Sequence, residues 1–317
     1  MNILKQLIKL LLLLILFSNQ MYSQGCSDAG VCSLDIMNEN STHNSEQLYN
    51  NTLQFGIGYG IADNNINVFN SFLEYSFNLQ DFSLDFKGTI LSQNGSDYNS
   101  FGLGDVYFTG SYKLSQNSIV SLGMKLPLNN ADNTTDITAF NGKRLEITLP
   151  MDYQTSLGTT DLILAYSHKI DNFSIFSALQ VPITQNKNMF DSTKAASQRD
   201  KEFSEFTSTT NFQRSSDLII RINYLYKVNE DIDFVPSILP IYHLSNDKYS
   251  EFTGNTEVIR EIEGSDGLTL NLNLQSKLKL DNSFITLNIG FPVLVRKVRP
   301  DGLTRALVLG LNYGYNF

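Results

Sequence analysis

"GLGDVYFTGSYKL", residues 102–114, decides how this chain is read. From Asp105 onward its residues sort into two alternating sets. Val106, Phe108, Gly110, Tyr112 and Leu114 are apolar or small, whereas Asp105, Tyr107, Thr109, Ser111 and Lys113 are polar. A period of two sends the sets to opposite faces of a β-strand. The strand opens on an acid and closes on a base. "TDLILAYSHKI" (160–170) and "SDLIIRINYLYKV" (216–228) repeat the pattern.

The repeat is regular. Asp105, Asp161 and Asp217 stand 56 residues apart each time, and Asp266, in "GSDGLTLNLNL", follows at 49. Each opens a strand that reaches a lysine near its far end: Lys113, Lys169, Lys227, and Lys277 or Lys279. The next strand returns and carries an apolar-Pro-apolar triplet, centred on Pro127, Pro182, Pro240 and Pro292. One hairpin-sized unit is thus used four times, a natural way to build a closed sheet. Proline lacks the amide hydrogen, so it belongs where a ladder ends or bulges. Two readings of the acids stand. They form a ring of charge at an entrance, or they end the loops and cap local hydrogen bonds. Asp is a common turn residue, which favours the second.

Outward from this stretch, the period of two runs through twelve segments: 52–61, 67–79, 81–91, 103–114, 118–128, 159–170, 173–183, 215–228, 231–244, 266–280, 283–295 and 303–317. No helical period is sustained anywhere downstream of Thr52. Short turns such as "NLQD", "IDN" and "LDN" alternate with long connections at 92–102, 129–158, 184–214 and 245–265. The connections at 62–66 and 296–302 are shorter exceptions. Outer-membrane barrels sort their connections in this way, with short periplasmic turns and long extracellular loops. A tilted strand needs about 9–11 residues to cross the hydrocarbon, which these segments supply. The fold class expected is all-β: a twelve-stranded antiparallel transmembrane β-barrel of the bacterial outer-membrane type, at residues 52–317. An even strand count puts both termini on the periplasmic side.

The chain ends agree. "LTRALVLGLNYGYNF" (303–317) gathers Tyr313, Tyr315 and Phe317 at the end of one face, where an interfacial girdle belongs. A terminal strand closing on an aromatic residue resembles the assembly signal of outer-membrane barrels, so the barrel-assembly machinery is an expected partner. At the other end, Lys5, Lys9 and the apolar run Leu10–Phe17 read as an export signal over residues 1–24, too short to span a bilayer. Residues 25–51 read as a polar periplasmic leader. Export favours a small Cys26–Cys32 disulfide, and lipidation of Cys26 is the alternative. A net charge of −9 argues against a nucleic-acid partner. Three scattered histidines offer no metal cluster, and no cofactor is expected.

"GLGDVYFTGSYKLSQNSIVSLGMKLPLNN" (102–130) resembles the signature hairpin of the meta-pathway phenol-degradation family of outer-membrane barrels. The residues that carry the resemblance are Gly102, Gly104, Asp105, Lys125 and Pro127. "LGTTDLILAYSHKI" (157–170) is similar to that family's next strand, and the likeness extends over residues 100–185. It departs after the proline, where Leu128-Asn129 stands in place of Thr-Gly. The resemblance implies a channel for small, often aromatic or hydrophobic compounds.

If the apolar faces meet lipid, the lumen and its mouth carry Glu74, Asp85, Lys87, Asp105, Tyr107, Lys125, Asp161, Asp217, Arg221, Asn271, Asn273 and Gln275. Mixed charge there predicts a packed, hydrogen-bonded interior more than a wide ion-selective pore. About eight strands leave a filled barrel and roughly 16–18 an open one, so twelve lies between. The long loops 129–158 and 184–214 are expected to fold inward, with Lys143, Arg144, Lys194, Arg199 or Lys201 pairing with the mouth acids. Arg144–Leu149 reads as part of a hairpin above the membrane, and "KAASQRDKEF" (194–203) as a short surface helix. A passive channel is the leading expectation, and no catalytic residue is assigned. A display barrel with a closed lumen is the alternative. A lipid hydrolase built on His243 and Ser245 is a third, weaker reading.

Overall fold

The computed structural model describes residues 51–317, apart from positions 97, 199–200, 255 and 302–304. The expected signal segment, the leader, Cys26 and Cys32 lie outside the described residues. The strands are β1 (Asn51–Ala62), β2 (Asn67–Asn78), β3 (Phe82–Asn94), β4 (Asn99–Ser115), β5 (Ser118–Pro127), β6 (Thr134–Thr138) and β7 (Arg144–Thr148). They continue as β8 (Asp161–Ile170), β9 (Phe173–Pro182), β10 (Asp217–Tyr224), β11 (Tyr226–Lys227) and β12 (Ile232–His243). The last are β13 (Lys248–Thr253), β14 (Thr256–Glu261), β15 (Gly267–Lys279), β16 (Ser283–Leu294) and β17 (Arg305–Asn316).

One antiparallel sheet closes on itself. Each barrel strand pairs with its neighbour around the ring, β1 with β17 at one seam and β10 with β12 at another. β10 and β11 form one wall strand interrupted at Leu225, which makes twelve. At the seam the Asn51 and Phe317 backbones exchange two hydrogen bonds, at 3.0 and 2.9 Å. Closure leaves no ladder edge, the only way a sheet satisfies its backbone without water.

The alternation read from the sequence is the alternation of burial. In β8, Asp161, Ile163, Ala165 and Ser167 are buried inside while Leu162, Leu164 and Tyr166 are exposed outside. On β17, Leu309, Leu311, Tyr313 and Tyr315 all point out, and the Tyr315 ring stacks near Phe317 at 6.1 Å. The prolines sit where expected. Pro127 and Pro182 end their strands. Pro240 and Pro292 face Leu270 and Asn271, where the β15–β16 register shifts.

The connection expected at 92–102 is mostly not a loop. β3 and β4 continue to Asn94 and Asn99 and turn tightly between them. Ser92, Asn94 and Asn99 interrupt the apolar alternation of the outer face around the exposed Phe101, although the strands go on. Two small hairpins, β6–β7 and β13–β14, stand on the same rim, as does the short helix Ser192–Gln198. The hairpin through Arg144–Leu149 is therefore present, and the helix overlaps the first half of "KAASQRDKEF", starting two residues earlier at Ser192.

Leu122 and Leu164 are register partners on adjacent strands, 66% and 55% exposed. Arginine at either, mid-strand on the outward face, is expected to cost about 2–4 kcal/mol of barrel stability, measured by urea unfolding in lipid vesicles.

Candidate functional site

The interior is filled by its own side chains, and its two walls differ. Across β2–β5 and β8–β12 the inward residues include the buried ion pairs and an apolar cluster, with Ser, Thr and Gln side chains among them. Lys87 Nζ lies 3.0 Å from Glu74 and 3.8 Å from the centre of the Phe72 ring. Lys125 Nζ lies 2.8 Å from Asp161 and donates to Thr159 Oγ1 at 3.1 Å. The Asp161 carboxylate also accepts from Thr159 Oγ1 at 2.7 Å and from Gln180 Nε2. Arg221 donates to Ser237 Oγ at 3.3 Å, and Asp85 is buried opposite Thr109. Between these polar layers Tyr107, Ile163, Phe176, Ile219, Leu239 and Ile241 pack into an apolar cluster inside the barrel. An isolated charge in such a place would cost several kcal/mol, which is why each one named has a partner.

The opposite wall, on β15–β17, β1 and the neighbouring edge of β2, is largely amide and glycine. Gln54, Asn70, Asn271, Asn273, Gln275, Asn288 and Asn312 line it. Asn70 lies flat over Gly58, where an added Cβ would fall 2.1 Å from its Oδ1. Asn273 lies over Gly290 in the same way, at 2.5 Å. Neither side-chain atom of the fully buried Asn271 amide has a hydrogen-bond partner.

The mouth on the long-loop rim is closed in two halves. Over β1–β4 the closure is aromatic: Tyr98, Tyr153, Phe190 and Phe203 are buried together with Ile66 and Leu149. Tyr98 stacks on Phe203 at 5.3 Å and meets Tyr153 edge-on at 5.9 Å. Amide side chains join the loops beside them. Gln93 donates to the Gln154 carbonyl at 2.8 Å, and Asn188 donates to the Ala131 carbonyl at 2.8 Å while accepting from the Phe190 amide at 3.0 Å.

Over β10, β12 and the β16–β17 connection the closure is ionic. Arg214 pairs with Asp217, and Arg296 pairs with Asp301 at 2.8 Å. His243 sits between Asp217 and Asp247, with Nδ1 and Nε2 at 2.6 and 2.7 Å. Burial alone would lower the Arg214 guanidinium, but Asp217 and Asp301 outweigh it and hold the group charged, above its ordinary value. Burial alone would raise Asp301, but Arg296 and Arg214 hold its carboxyl below the usual range.

The sequence-predicted acids share this rim without forming an open ring. Asp105 is half-buried and accepts from Ser156 Oγ at 2.6 Å. Asp161 and Asp217 are buried in the pairs above, and Asp266 points to solvent. The loops fold inward as expected, but among the described residues the basic side chains assigned to the acids do not make the contacts. Lys143 and Arg144 are exposed, and Lys194 pairs with its neighbour Asp191 at 3.2 Å. Arg199 and the Lys201 side chain lie outside the described residues. Arg214 takes that role at Asp217 and Lys125 takes it at Asp161. His243 and Ser245 are not a dyad: both imidazole nitrogens face carboxylates, and Ser245 Oγ bonds Ser215 Oγ at 2.7 Å.

No family model matches the chain, and no curated protein matches it. Among solved structures, it is similar to the translocator domain of the autotransporter NalP from Neisseria meningitidis, with a TM-score of 0.50, 6% identity, and coverage of 92% of this chain and 96% of that one. That likeness shows the barrel fold. The CymD monoaromatic hydrocarbon channel matches at TM-score 0.46 and 10% identity, over 94% of this chain and 95% of that one. The KdgM porin matches at TM-score 0.43 and 10% identity, over 84% of this chain and 99% of that one.

Removing one partner of the Lys125–Asp161 pair leaves a buried charge alone. Lys125→Met and Asp161→Asn are each expected to cost about 3–5 kcal/mol, and the double variant markedly less than their sum. A double-mutant cycle by urea unfolding measures the difference.

Proposed function

We propose that this protein is a bacterial outer-membrane barrel that passes small hydrophobic or aromatic molecules passively, with its long-loop mouth held shut at rest. The observation that carries the membrane placement is the inversion of the usual soluble pattern. Apolar side chains are exposed around a closed sheet, while ion pairs and amides are buried within it. A water-soluble protein rarely leaves so large an apolar surface uncovered. In this reading the short turns and both ends of the barrel are periplasmic, and the hairpins β6–β7 and β13–β14 are extracellular.

Two features support the solute class. The aromatic half of the mouth and, apart from it, the apolar cluster on the β8–β12 wall give an uncharged, flat molecule places to lodge. The resemblance of residues 100–185 to the meta-pathway phenol-degradation family points the same way. A second reading is favoured by a specific observation: Lys87, Lys125, Asp161 and Asp217 are each at most 2% exposed, so the lumen is filled. A filled lumen suits a display barrel whose loops bind a partner.

The aromatic closure separates the two. Tyr153→Ala with Phe203→Ala is expected to raise uptake of a small aromatic probe into cells several-fold over wild type, with a smaller change for a charged probe of equal size. If hydrogen exchange shows the loops loosened while uptake of both probes stays at wild-type level, the display reading replaces the channel.

A further inference from the structure

The ionic half of the mouth is balanced in a way that depends on one proton. Arg214, Arg296 and His243 face Asp217, Asp247 and Asp301, three groups that carry positive charge against three that carry negative. All six are buried. Each ring nitrogen of His243 is within 2.7 Å of a carboxylate oxygen. A carboxylate only accepts, so both nitrogens must donate, and only the imidazolium has two N–H groups.

The six residues come from separate pieces of chain. Asp217 heads β10, Arg214 precedes it, His243 ends β12, Asp247 lies in the connection after β12, and Arg296 and Asp301 lie between β16 and β17. Asp247 is the joint among them. Its Oδ1 accepts from the Ser215 amide at 2.8 Å, and its own amide donates to Ser265 Oγ at 2.8 Å. Arg296 also donates to the Ser265 carbonyl at 2.8 Å. Facing His243 from other elements, Gly267 on β15 has no side chain and Asp266 beside it is turned to solvent. Asp161 on β8 is near enough to act on Arg214.

We propose that this cluster is a pH-operated latch, in which the His243 imidazolium clamps the β12–β15 connection to β10 and loss of its proton releases that connection from the mouth. Deprotonation turns a ring lone pair toward a carboxylate oxygen and leaves the buried cluster with two positive groups against three negative. One contact must then break. The charged form holds the latch, so the closed arrangement persists at low pH and is lost as pH rises. The latch is a property of the loops and stands whether or not the lumen conducts.

Two variants of the full chain in lipid vesicles test it. In Asp217→Asn, the new amide donates to Nδ1 and its oxygen still accepts from Arg214. A neutral imidazole then satisfies every contact, with two positive groups against two negative. In His243→Gln, the clamp is gone. The readout is hydrogen exchange at the Ser215 and Asp247 amides, corrected for intrinsic rates, together with bilayer conductance. Between about pH 6 and about pH 10, wild-type exchange at both amides is expected to rise about tenfold or more. Asp217→Asn should stay slow throughout, and His243→Gln should be fast throughout. Wild-type exchange that does not change with pH, or an Asp217→Asn variant that follows the wild-type profile, overturns the latch. If His243→Gln fails to fold, the wild-type and Asp217→Asn profiles still decide. Exchange that rises without any rise in conductance supports the latch and counts against the channel.

Discussion

A strand in hydrocarbon has no water to satisfy its N–H and C=O groups, so the first and last strands of the sheet must find each other. Here β1 and β17 pair along almost their whole length, from Thr52↔Asn316 to Ile61↔Leu307. That seam fixes the rest. With it closed, one face of every strand points outward and the other to a narrow interior. The sequence accordingly alternates throughout the wall, and a one-residue slip would put Lys87 or Asp161 in the hydrocarbon. Glycine serves the same constraint on the inner wall. At Gly56 an added Cβ would fall 2.2 Å from the Phe72 ring, so the ring lies flat against the wall only because no side chain is there.

The interior that results is too narrow to hydrate its charges freely and too polar to pack like a soluble core. The structure resolves this by pairing. Glu74 with Lys87 and Asp161 with Lys125 are neighbours on adjacent strands, so their partners are set by the barrel register. At the loop rim the register ends, and partners arrive from the connections instead. Two chemistries divide that rim: an aromatic cluster around Tyr98 and Phe203, and the charge cluster around His243. The first is insensitive to protons and the second is not.

The wall was legible in the sequence because a period of two is a local property. The strand beginning at Asp161 was read at 159–170 and runs from Asp161 to Ile170. The top of the β3–β4 hairpin is not legible because Ser92, Asn94 and Asn99 break the apolar alternation around Phe101 on the outer face. The mouth was harder. Asp217 and His243 could each be singled out, but Arg214, Asp247, Arg296 and Asp301 sit in connections without any period, and nothing local couples Arg214 to Asp301 across 87 positions. Phe190, Phe203, Phe206 and Phe212, spaced through a mostly polar loop, are the available sign that this loop buries a core of its own.

The account rests on which face of the sheet meets lipid, and that face can be probed directly. Single nitroxide labels would be placed at the outward Leu122, Leu164 and Leu287 and at the inward Ser121, Ala165 and Thr286, in protein reconstituted into bilayers. Collision rates with dissolved oxygen, which concentrates in hydrocarbon, and with a water-soluble nickel chelate report what each label touches. The outward labels are expected to collide strongly with oxygen and weakly with nickel, and the inward ones weakly with both. Strong nickel collisions at Leu122, Leu164 and Leu287 would put the apolar face in water and contradict the barrel's placement in a membrane.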